Sequence, residues 1–594
     1  MIEDPYDRRL ALRATGLLGR FNQADVLAAA DVHVADRLAG LAGESDPQVL
    51  LAAALAVRAV RQGSTCLDLS TVADAPLEDD PESEEVLPWP DAEPWQAAVA
   101  ASPLVSRGVL RFDNGLLYLD RYWREEMQVC RDLVGRLDRV PPEVDAPALD
   151  AGVLRVFPDA GYDEQRVAAR AATTRWTTVL TGGPGTGKTT TVAGLLALLV
   201  EQAEHGAAES GRRLRIALSA PTGKAAARLQ QSVETELAAL PVTDRERLGE
   251  LKASTLHRLL GSRWPHSNVR FRHDRDNRLP HDVVVVDETS MVSLTMMARL
   301  LESVRPDARL VLVGDPGQLA SVEAGAVLAD LVDGFGRRPD NPVAALSTSH
   351  RFGGAIADLA RALRDDDADR VVEVLRSGGA VELVDPEDDA AMGEVRASVT
   401  AAALGVRVAA ESGDAQAAVD ALDRHRILCA HREGPYGVAG WNRQVERLVA
   451  ERTGVTHYDE WYAGRPVLVT TNDYGQGLYN SDIGVTIRRP DGRLRVVVPG
   501  VDGLKEFATT RLAGVQTVYA MTVHKSQGSQ AREVSVVMPP DDSRLLTHEL
   551  FYTAVTRAQE KVRVIGTEAS VRAAVSRKVQ RASGLAERLA GPVS

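Results

Sequence analysis

The sequence predicts an α/β fold built on parallel sheets, preceded by a mainly helical region. From about residue 150 the chain alternates short β-prone runs with helical stretches, which is the pattern of parallel strands joined by crossover helices. The run at 177–181 leads into a glycine-rich loop and then into an Ala/Leu-rich helix, the context that a phosphate-binding loop requires. The predicted strands are 177–181, 214–219, 283–286 and 310–313 in this first α/β segment, and 426–430, 467–471, 515–522 and 534–538 in a second α/β-like segment. Each strand of the first segment ends in a polar or glycine-rich loop, where α/β sheets bind ligands.

Composition narrows the class of protein. The 594 residues suggest about three to four domains, and a hydrophobic content of 44% allows large cores. We find no apolar run long enough to span a membrane, an acidic N-terminus unlike a secretory signal, and three cysteines (Cys66, Cys130 and Cys429) without metal or disulfide spacing. We therefore expect a cytoplasmic protein with no membrane partner. The net charge of −14 argues against a simple nucleic-acid coat but is compatible with a basic channel inside an acidic body.

Residues 1–140 read as a helical domain without recognisable chemistry. Helical spacing of Leu, Val and Ala covers 10–39 and 49–60, an Asn-Gly turn predicts a hairpin at 110–119, and a helix follows at 122–137. Nine acids and no Lys or Arg lie between Asp74 and Glu93. Two interpretations stay open for them, a solvated loop and a docking surface for a basic partner. A proline-rich stretch after residue 140 marks a domain boundary.

The glycine-rich loop is predicted to hold the phosphates of ATP. Its backbone N–H groups and the following helix N-terminus attract phosphate oxygens. Lys188 would reach the β- and γ-phosphates, and the Thr189 hydroxyl would hold Mg²⁺. The predicted nucleotide-binding residues of the loop are Gly182, Gly183, Pro184, Gly185, Thr186, Gly187, Lys188, Thr189 and Thr190.

A second nucleotide signal follows four consecutive valines at 283–286, which predict a buried parallel strand. Asp287 at its end is expected to be the second Mg²⁺ ligand, and Glu288 is a candidate general base for an attacking water. The adjacent Glu favours hydrolysis over phosphate transfer. Gln318, in the stretch 313–319, is placed to sense the γ-phosphate.

Two arginines are candidates for stabilising charge at the γ-phosphate from a second domain, Arg351 and Arg557. Each taken alone is more often a surface ion pair.

The order of these blocks resembles superfamily 1 helicases between about residues 160 and 565. The matching blocks are Asp163-Glu164-Gln165 (Q motif), Ala220-Pro221-Thr222-Gly223-Lys224 (motif Ia), Asp287-Glu288-Thr289-Ser290 (motif II), Gly314-Asp315-Pro316-Gly317-Gln318 (motif III), Ser349-His350-Arg351-Phe352 (motif IV), Thr522-Val523-His524-Lys525-Ser526-Gln527-Gly528 (motif V) and Tyr552-Thr553-Ala554-Val555-Thr556-Arg557 (motif VI). Further stretches look like RecD proteins, the alpha subunits of exonuclease V, namely 253–261, 320–328, 428–442, 464–467, 66–69 and 117–123.

This resemblance implies a concrete architecture. It implies two RecA-like P-loop motor domains with a mainly helical N-terminal domain and a small β-rich, SH3-like insert. The expected limits are 1–140 for a partner-docking domain, 141–344 for motor domain 1A with a 1B insertion at about 231–281, and 345–594 for motor domain 2A with a 2B insertion at about 464–512.

It also implies a function. RecD proteins are ATP-driven 5′-to-3′ single-strand DNA motors within RecBCD, which processes double-strand breaks for recombination, and the nuclease lies on another subunit. The implied partners are RecB-like and RecC-like subunits and DNA, as single strand and duplex end, with ATP and Mg²⁺ as cofactors and a nucleoid location during repair. Arg351 and Arg557 become the trans arginines, and Gln165 the adenine contact. Gln530 stands where the family usually has an acid, which puts a carboxylate contact to the ribose in doubt.

DNA is expected across the tops of both motor domains, held by hydroxyls, cations and amides that follow the backbone. The candidate DNA-binding residues are Thr222, Lys224, Thr255, His257, Thr522, His524 and Lys525. Local capping or a surface charge is the alternative for each of them, and a core position is a further alternative for His257 and His524. The basic segment 263–278 is either a DNA-contacting element or a solvated loop.

Two other functions stay open beside a motor subunit. One is a stand-alone helicase, and the other is a structural or regulatory subunit whose ATPase is dispensable.

Overall fold

The computed structural model describes residue 7 and residues 9–74, 87–206, 213–262, 270–348, 354–455, 459–473, 475–500, 503–541 and 543–591. Among the helices of these ranges, none is both long and apolar enough to cross a membrane.

The N-terminal region is helical with one small antiparallel sheet in the order β1-β3-β2. The stretch predicted as helical at 10–39 is two helices, separated where Asp25 adopts φ 59°. The Asn114-Gly115 hairpin is confirmed, with both turn residues at positive φ. The elements are α1 Gly16–Gln23, α2 Ala29–Ala42, α3 Pro47–Arg61, β1 Leu67–Asp68, α4 Ala92–Ala101, α5 Pro103–Ser106, β2 Leu110–Asp113, β3 Leu116–Leu119 and α6 Asp120–Leu137.

A six-stranded parallel sheet follows, in the order β6-β5-β7-β8-β4-β9. Its elements are α7 Ala146–Val156, α8 Asp163–Thr173, β4 Thr177–Gly182, α9 Lys188–Gly206, β5 Ile216–Ala220, α10 Gly223–Ala239, α11 Val242–Leu248, β6 Ala253–Thr255, α12 Leu256–Leu260, β7 Val283–Val286, α13 Leu294–Ser303, β8 Arg309–Gly314, α14 Val327–Gly336 and β9 Val343–Leu346. The four strands predicted here are confirmed, and β6 and β9 are additional. Both additional strands are short edge strands poor in β-branched residues, so they carry little sequence signal.

The remaining elements form two further sheets. They are α15 Ala355–Arg364, α16 Ala368–Arg376, β10 Val381–Val384, α17 Asp389–Glu411, α18 Ala415–Leu422, β11 His425–Cys429, α19 Val438–Thr453, β12 Pro466–Val469, β13 Ile483–Arg488, β14 Leu494–Gly500, β15 Gly503–Ala508, β16 Val515–Thr517, β17 Ala520–Thr522, α20 Val523–Ser526, β18 Ala531–Val537, α21 His548–Val555, β19 Ala558–Ile565, α22 Glu568–Ser576 and α23 Leu585–Ala590.

A second parallel sheet has the order β10-β19-β18-β11-β17, and an antiparallel sheet has the order β15-β14-β13-β12-β16. The prediction of one strand at 515–522 was wrong, because β16 closes the antiparallel sheet and β17 joins the parallel one. The run at 467–471 was likewise predicted as a strand of the second α/β segment. In the structure it is β12, which pairs with β13 and β16 in the antiparallel sheet. One β-prone run can serve two sheets, and periodicity alone does not show where the chain crosses between them.

The limits of the three expected domains stay a prediction, and the extents of the sheets can be compared with them. The first parallel sheet extends to Leu346, two residues past the proposed boundary at 344. Strand β6 lies inside the range 231–281 proposed as an insertion, yet it pairs within the first sheet. The five-stranded antiparallel sheet spans 466–517, close to the proposed insert at 464–512.

The C-terminal segment, residues 577–591, returns to the first half of the molecule. Leu585 and Leu589 are buried in the same cluster as Phe335 of α14 and Leu133 of α6. The backbone of Ala586 lies so close to Gly334 that a side chain at 334 would meet it at 2.6 Å. This segment therefore packs the end of the chain against the domain of the first parallel sheet and against the N-terminal region.

Candidate nucleotide site and DNA-facing edge

A cavity of about 650 Å³ lies between the first parallel sheet and the second. This volume is in the range of small-molecule sites. Its lining includes the P-loop residues Pro184, Gly185, Gly187, Lys188, Thr189 and Thr190, and also Arg228, Asp287, Glu288, Asp315, Gln318, Gln530, Arg557 and Gln559. The separate sequence signals for a nucleotide thus meet in one place.

The P-loop follows β4 directly and ends in α9. Gly185 and Gly187 adopt φ 78° and 83°, which other residues reach only with strain. Lys188 Nζ donates to the carbonyl oxygens of Gly182 at 2.5 Å and Gly183 at 2.9 Å. Burial lowers the pKa of Lys188. The Lys188 ammonium thus binds two backbone carbonyl oxygens, whose place phosphate oxygens can take.

Two acids face this lysine at the end of β7. Glu288 N donates to Asp287 Oδ1 at 2.8 Å, and Glu288 itself adopts φ 50°, an uncommon conformation that is often found at functional sites. Burial, followed by the neighbouring Glu288 carboxylate, raises the pKa of Asp287 to about 6. The two neighbouring carboxylates line the same cavity as Thr189, and carboxylate and hydroxyl oxygens are hard donors, so these residues fit Mg²⁺.

Arg557 comes from the side of the second parallel sheet and follows α21. Arg557 Nη2 donates to Gln318 Oε1 at 2.5 Å, and Gln318 Nε2 donates to Asp315 Oδ2 at 3.0 Å. Arg557 is 4% exposed and its Nε is held by the Thr553 carbonyl at 3.2 Å. Two residues predicted independently, 239 positions apart, therefore touch across the cavity.

Three further residues in or near the site had no role in the sequence prediction. Tyr552 OH donates to Asp315 Oδ2 at 3.1 Å, so motif VI holds the motif III acid as well as its Gln. Arg228 on α10 lines the cavity. Arg364 at the end of α15 lies beside Gly183, where a side chain at 183 would meet its Cζ at 3.6 Å. Tyr552 lies within a quoted motif, but Arg228 and Arg364 lie in none of the quoted blocks.

Other predicted nucleotide residues lie at the edge of the site or beyond it. Gln165 is fully buried behind the P-loop, and its Nε2 donates to the Thr186 carbonyl at 2.9 Å. Its role as the adenine contact stays a prediction. Gln530 lines the cavity and accepts from Gln559 Nε2 at 3.1 Å. Arg351 lies outside the described residues.

The predicted DNA residues lie at the carboxyl ends of strands. Thr222 lies two residues after β5, Thr255 and Thr522 are the last residues of β6 and β17, and each caps the helix that comes next. Their hydroxyls accept from Ala225 N at 3.2 Å, Arg258 N at 3.2 Å and Lys525 N at 3.3 Å. The capping alternative is therefore real, yet each hydroxyl hydrogen remains available to a phosphate.

The cationic candidates differ in their surroundings. Burial lowers the pKa of Lys224 to about 7, and the insert residue Tyr479 covers the neighbouring Gly223. Burial also lowers the pKa of His524 and of Lys525. His257 packs against Phe271 with ring centroids 5.8 Å apart. In the basic segment, residues 263–269 lie outside the described ranges, and Arg275 pairs with Asp132 of α6 at 2.7 Å.

A larger cavity of about 830 Å³ lies elsewhere, between α19 and the antiparallel insert. Glu446, Tyr462 and Arg465 are among its lining residues, and none of the predicted site residues is. We assign the chemistry to the smaller cavity because the P-loop and both acids line it.

Known families and relatives match this chain along most of its length. The family described as AAA domain matches residues 161–386, the RecBCD enzyme subunit RecD N-terminal domain matches 23–118, and the UvrD-like helicase C-terminal domain matches 517–565.

The RecBCD enzyme subunit RecD of Mycobacterium tuberculosis is 58% identical over 589 residues, 98% of each chain. The ATP-dependent RecD2 DNA helicase of Deinococcus radiodurans is 30% identical over 500 residues, which are 82% of this chain and 60% of the relative. The solved structure of Bacteroides Pif1 bound to single-stranded DNA has a TM-score of 0.37 at 15% identity, covering 69% of this chain and 93% of that one. The identity and coverage shared with the mycobacterial protein mean that this chain belongs to the RecD family.

Proposed function

We propose that this RecD-family chain is an ATP-driven motor that moves 5′-to-3′ along single-stranded DNA. The contact of Arg557 with Gln318 across the cavity that the P-loop lines is the observation that supports this most strongly. An arginine from one motor domain aimed at the γ-phosphate side of the other makes hydrolysis depend on closure of the cleft. Closure and opening of that cleft are what move DNA. The 5′-to-3′ direction rests on the family resemblance.

The proposed roles in hydrolysis follow from position. Lys188 leaves the Gly182 and Gly183 carbonyls and binds the β- and γ-phosphates of ATP. Glu288 accepts the proton of the attacking water, which the Gln318 amide orients. Arg557 stabilises the charge that develops on the γ-phosphate oxygens. Thr189 and Asp287 would hold Mg²⁺, which supplies neutralisation of the phosphate charge.

The proposed DNA and nucleotide residues share one edge of the first sheet. Strands β4, β7 and β8 lead into the nucleotide residues, whereas the neighbouring β5 ends two residues before Thr222 and β6 ends at Thr255. A shift of the second motor sheet on the first therefore moves Thr522 and Lys525 relative to them. Opening and closing of the cleft during ATP hydrolysis would therefore move the two sets of DNA-binding residues relative to each other.

We expect Lys525→Ala to weaken single-strand binding equally for different sequences, because a lysine contacts phosphates and not base edges. The slope of log K against log salt should fall by about 0.7, the value for one single-strand phosphate contact. Fluorescence anisotropy of the complex at several salt concentrations measures this. Lys561→Ala is the matched control, since Lys561 pairs with Glu382 at 3.2 Å near the opposite edge of the same sheet. An unchanged slope for Lys525→Ala removes Lys525 from the DNA path.

We also propose that the chain works in a RecBCD-type complex with RecB-like and RecC-like subunits and processes double-strand breaks. The chain is 58% identical to the RecBCD subunit of M. tuberculosis and 30% identical to the RecD2 helicase, which favours the subunit over the stand-alone alternative. Residues 1–140 remain the proposed docking domain.

One experiment tests complex membership and polarity together. The tagged chain is purified from its own cells, and the purified material is given ATP and partial duplexes with either a 5′ or a 3′ single-stranded tail. The partner motor carries a disabled P-loop. We expect two co-purifying subunits and unwinding from the 5′ tail. An active chain that loses all partners would support the stand-alone form, and unwinding from the 3′ tail would contradict the proposed direction.

A further inference from the structure

Arg581 of the C-terminal segment lies where three parts of the molecule meet. Its Nη1 donates to the carbonyl oxygen of Ser321 at 2.6 Å and reaches that of Glu323 at 3.4 Å. Both carbonyls belong to the loop that continues from Gln318. Burial lowers the pKa of Arg581, and its Nε has no hydrogen-bond partner within the described part of the chain. The hydrogen bonds that the guanidinium donates from Nη1 therefore go to the backbone of this loop.

The N-terminal region packs closely against the Arg581 guanidinium. Gly63 adopts φ 94°, and a side chain there would lie 2.9 Å from Arg581 Cζ. Thr65 N donates to the Ala582 carbonyl at 2.9 Å, and Ala582 N donates to Ser64 Oγ at 3.1 Å. These contacts fix the backbone on which Arg581 stands.

The same N-terminal turn also holds the far end of the motif III loop. Gly325 N donates to the Gly63 carbonyl at 2.9 Å. Hydrogen bonds therefore join three stretches of the chain, namely residues 62–65, the loop 315–325 and the segment 577–591.

The near end of the loop is held by the second motor domain. Leu319 N donates to Thr553 Oγ1 at 2.8 Å, and the Leu319 carbonyl accepts from Gln527 Nε2 at 2.9 Å. Gln318 itself accepts from Arg557. Ser321 is three residues from Gln318, a chain length of at most about 10 Å, so a displacement at Ser321 reaches Gln318 with little chain to absorb it.

We propose that Arg581 is a positioning residue for ATP hydrolysis, clamping the Ser321 carbonyl so that the loop presents Gln318 to Arg557 and the nucleotide. The inference rests on the proposed role of Gln318. It adds a route by which the N-terminal docking domain sets the rate of hydrolysis, since Gly63 and Thr65 belong to that domain.

The test uses the assembled complex with a P-loop-disabled partner motor, and measures kcat and KM for ATP in the presence of single-stranded DNA. We expect Arg581→Ala to lower kcat about tenfold with KM for ATP within about twofold, because nucleotide binding by the P-loop is untouched. Arg581→Lys keeps one charged donor and should lose less. Lys578→Ala is the control, since the exposed Lys578 of the same segment pairs with Asp366 at 2.6 Å and should leave kcat unchanged.

A double substitution separates positioning from a general loss of structure. If Arg581 acts through Gln318, the variant Arg581→Ala with Gln318→Ala should be no slower than Gln318→Ala alone, within about twofold. Multiplying losses, or a rise in KM at constant kcat, would overturn the inference. If Arg581→Ala fails to assemble, Arg581→Met decides, because Met keeps an apolar stem but has no donor for the Ser321 carbonyl. An unchanged kcat for that variant also overturns the inference. A parent complex without ATP turnover overturns the proposed function together with the inference, whereas an active parent indifferent to Arg581 overturns the inference alone.

Discussion

Replacing Lys188 with Gln is expected to abolish ATP turnover by this chain, with a loss of about 10²- to 10³-fold in kcat. The ammonium now held by the Gly182 and Gly183 carbonyls is the cation on the P-loop itself that can move to the β- and γ-phosphates. A Gln side chain has similar length and can donate a hydrogen bond, but it brings no charge to the transferring phosphate. Translocation along a 5′-tailed strand should stop with hydrolysis. The measurement is phosphate release and strand displacement by the complex with a disabled partner motor.

Lys252→Gln is the matched control for this substitution. Lys252 is 71% exposed and pairs with Glu250 at 3.2 Å on the surface of the same motor domain. It should leave turnover and assembly unchanged. If the complex with the Lys188 variant keeps its ATPase and its 5′-to-3′ movement, this chain is not the motor. That result would support the alternative of a structural or regulatory subunit.

What the sequence could predict depends on how local each signal is. The P-loop and the four valines before Asp287 are contiguous patterns, and the structure has both strands at the predicted residues. Arg557 and Gln318 were both predicted from motif order, but their contact is set by the packing of the two sheets. Arg581, Arg228 and Arg364 belong to none of the quoted motifs, so the fold alone reveals their place. The division of 515–522 between two sheets was missed for the same reason.

For the threonines predicted to contact DNA, helix capping is observed and DNA contact stays a prediction, and the two roles are compatible. Sequence reasoning left DNA contact and helix capping as competing roles. In the structure Thr222, Thr255 and Thr522 all cap, and all stand at strand ends of the two motor sheets. Capping fixes the hydroxyl oxygen and orients a helix N-terminus with it, which is a suitable arrangement for following phosphates without reading bases.

The other large effect is expected at Arg557. Arg557→Ala should lower kcat about 10³-fold while the affinity for nucleotide stays within a few fold, because the arginine acts on charge that develops in the transition state. Gln318 Oε1 also loses the donor that holds it at 2.5 Å, so the amide that orients water is released in the same step. Turnover of the complex and binding of a fluorescent nucleotide analogue, measured side by side, separate the two quantities.

Two further variants decide whether the effect is chemical. Arg557→Lys keeps the charge but lacks the planar fork that contacts Gln318 and the Thr553 carbonyl together, so most of the loss should remain. Arg532→Ala removes an exposed arginine that pairs with Glu560 at 3.9 Å and should change neither quantity. Because Arg557 is buried, melting of each variant is followed as well. Equal losses in nucleotide affinity and in kcat would mean that Arg557 binds the ground state, and closure of the cleft would then need another residue to sense the γ-phosphate.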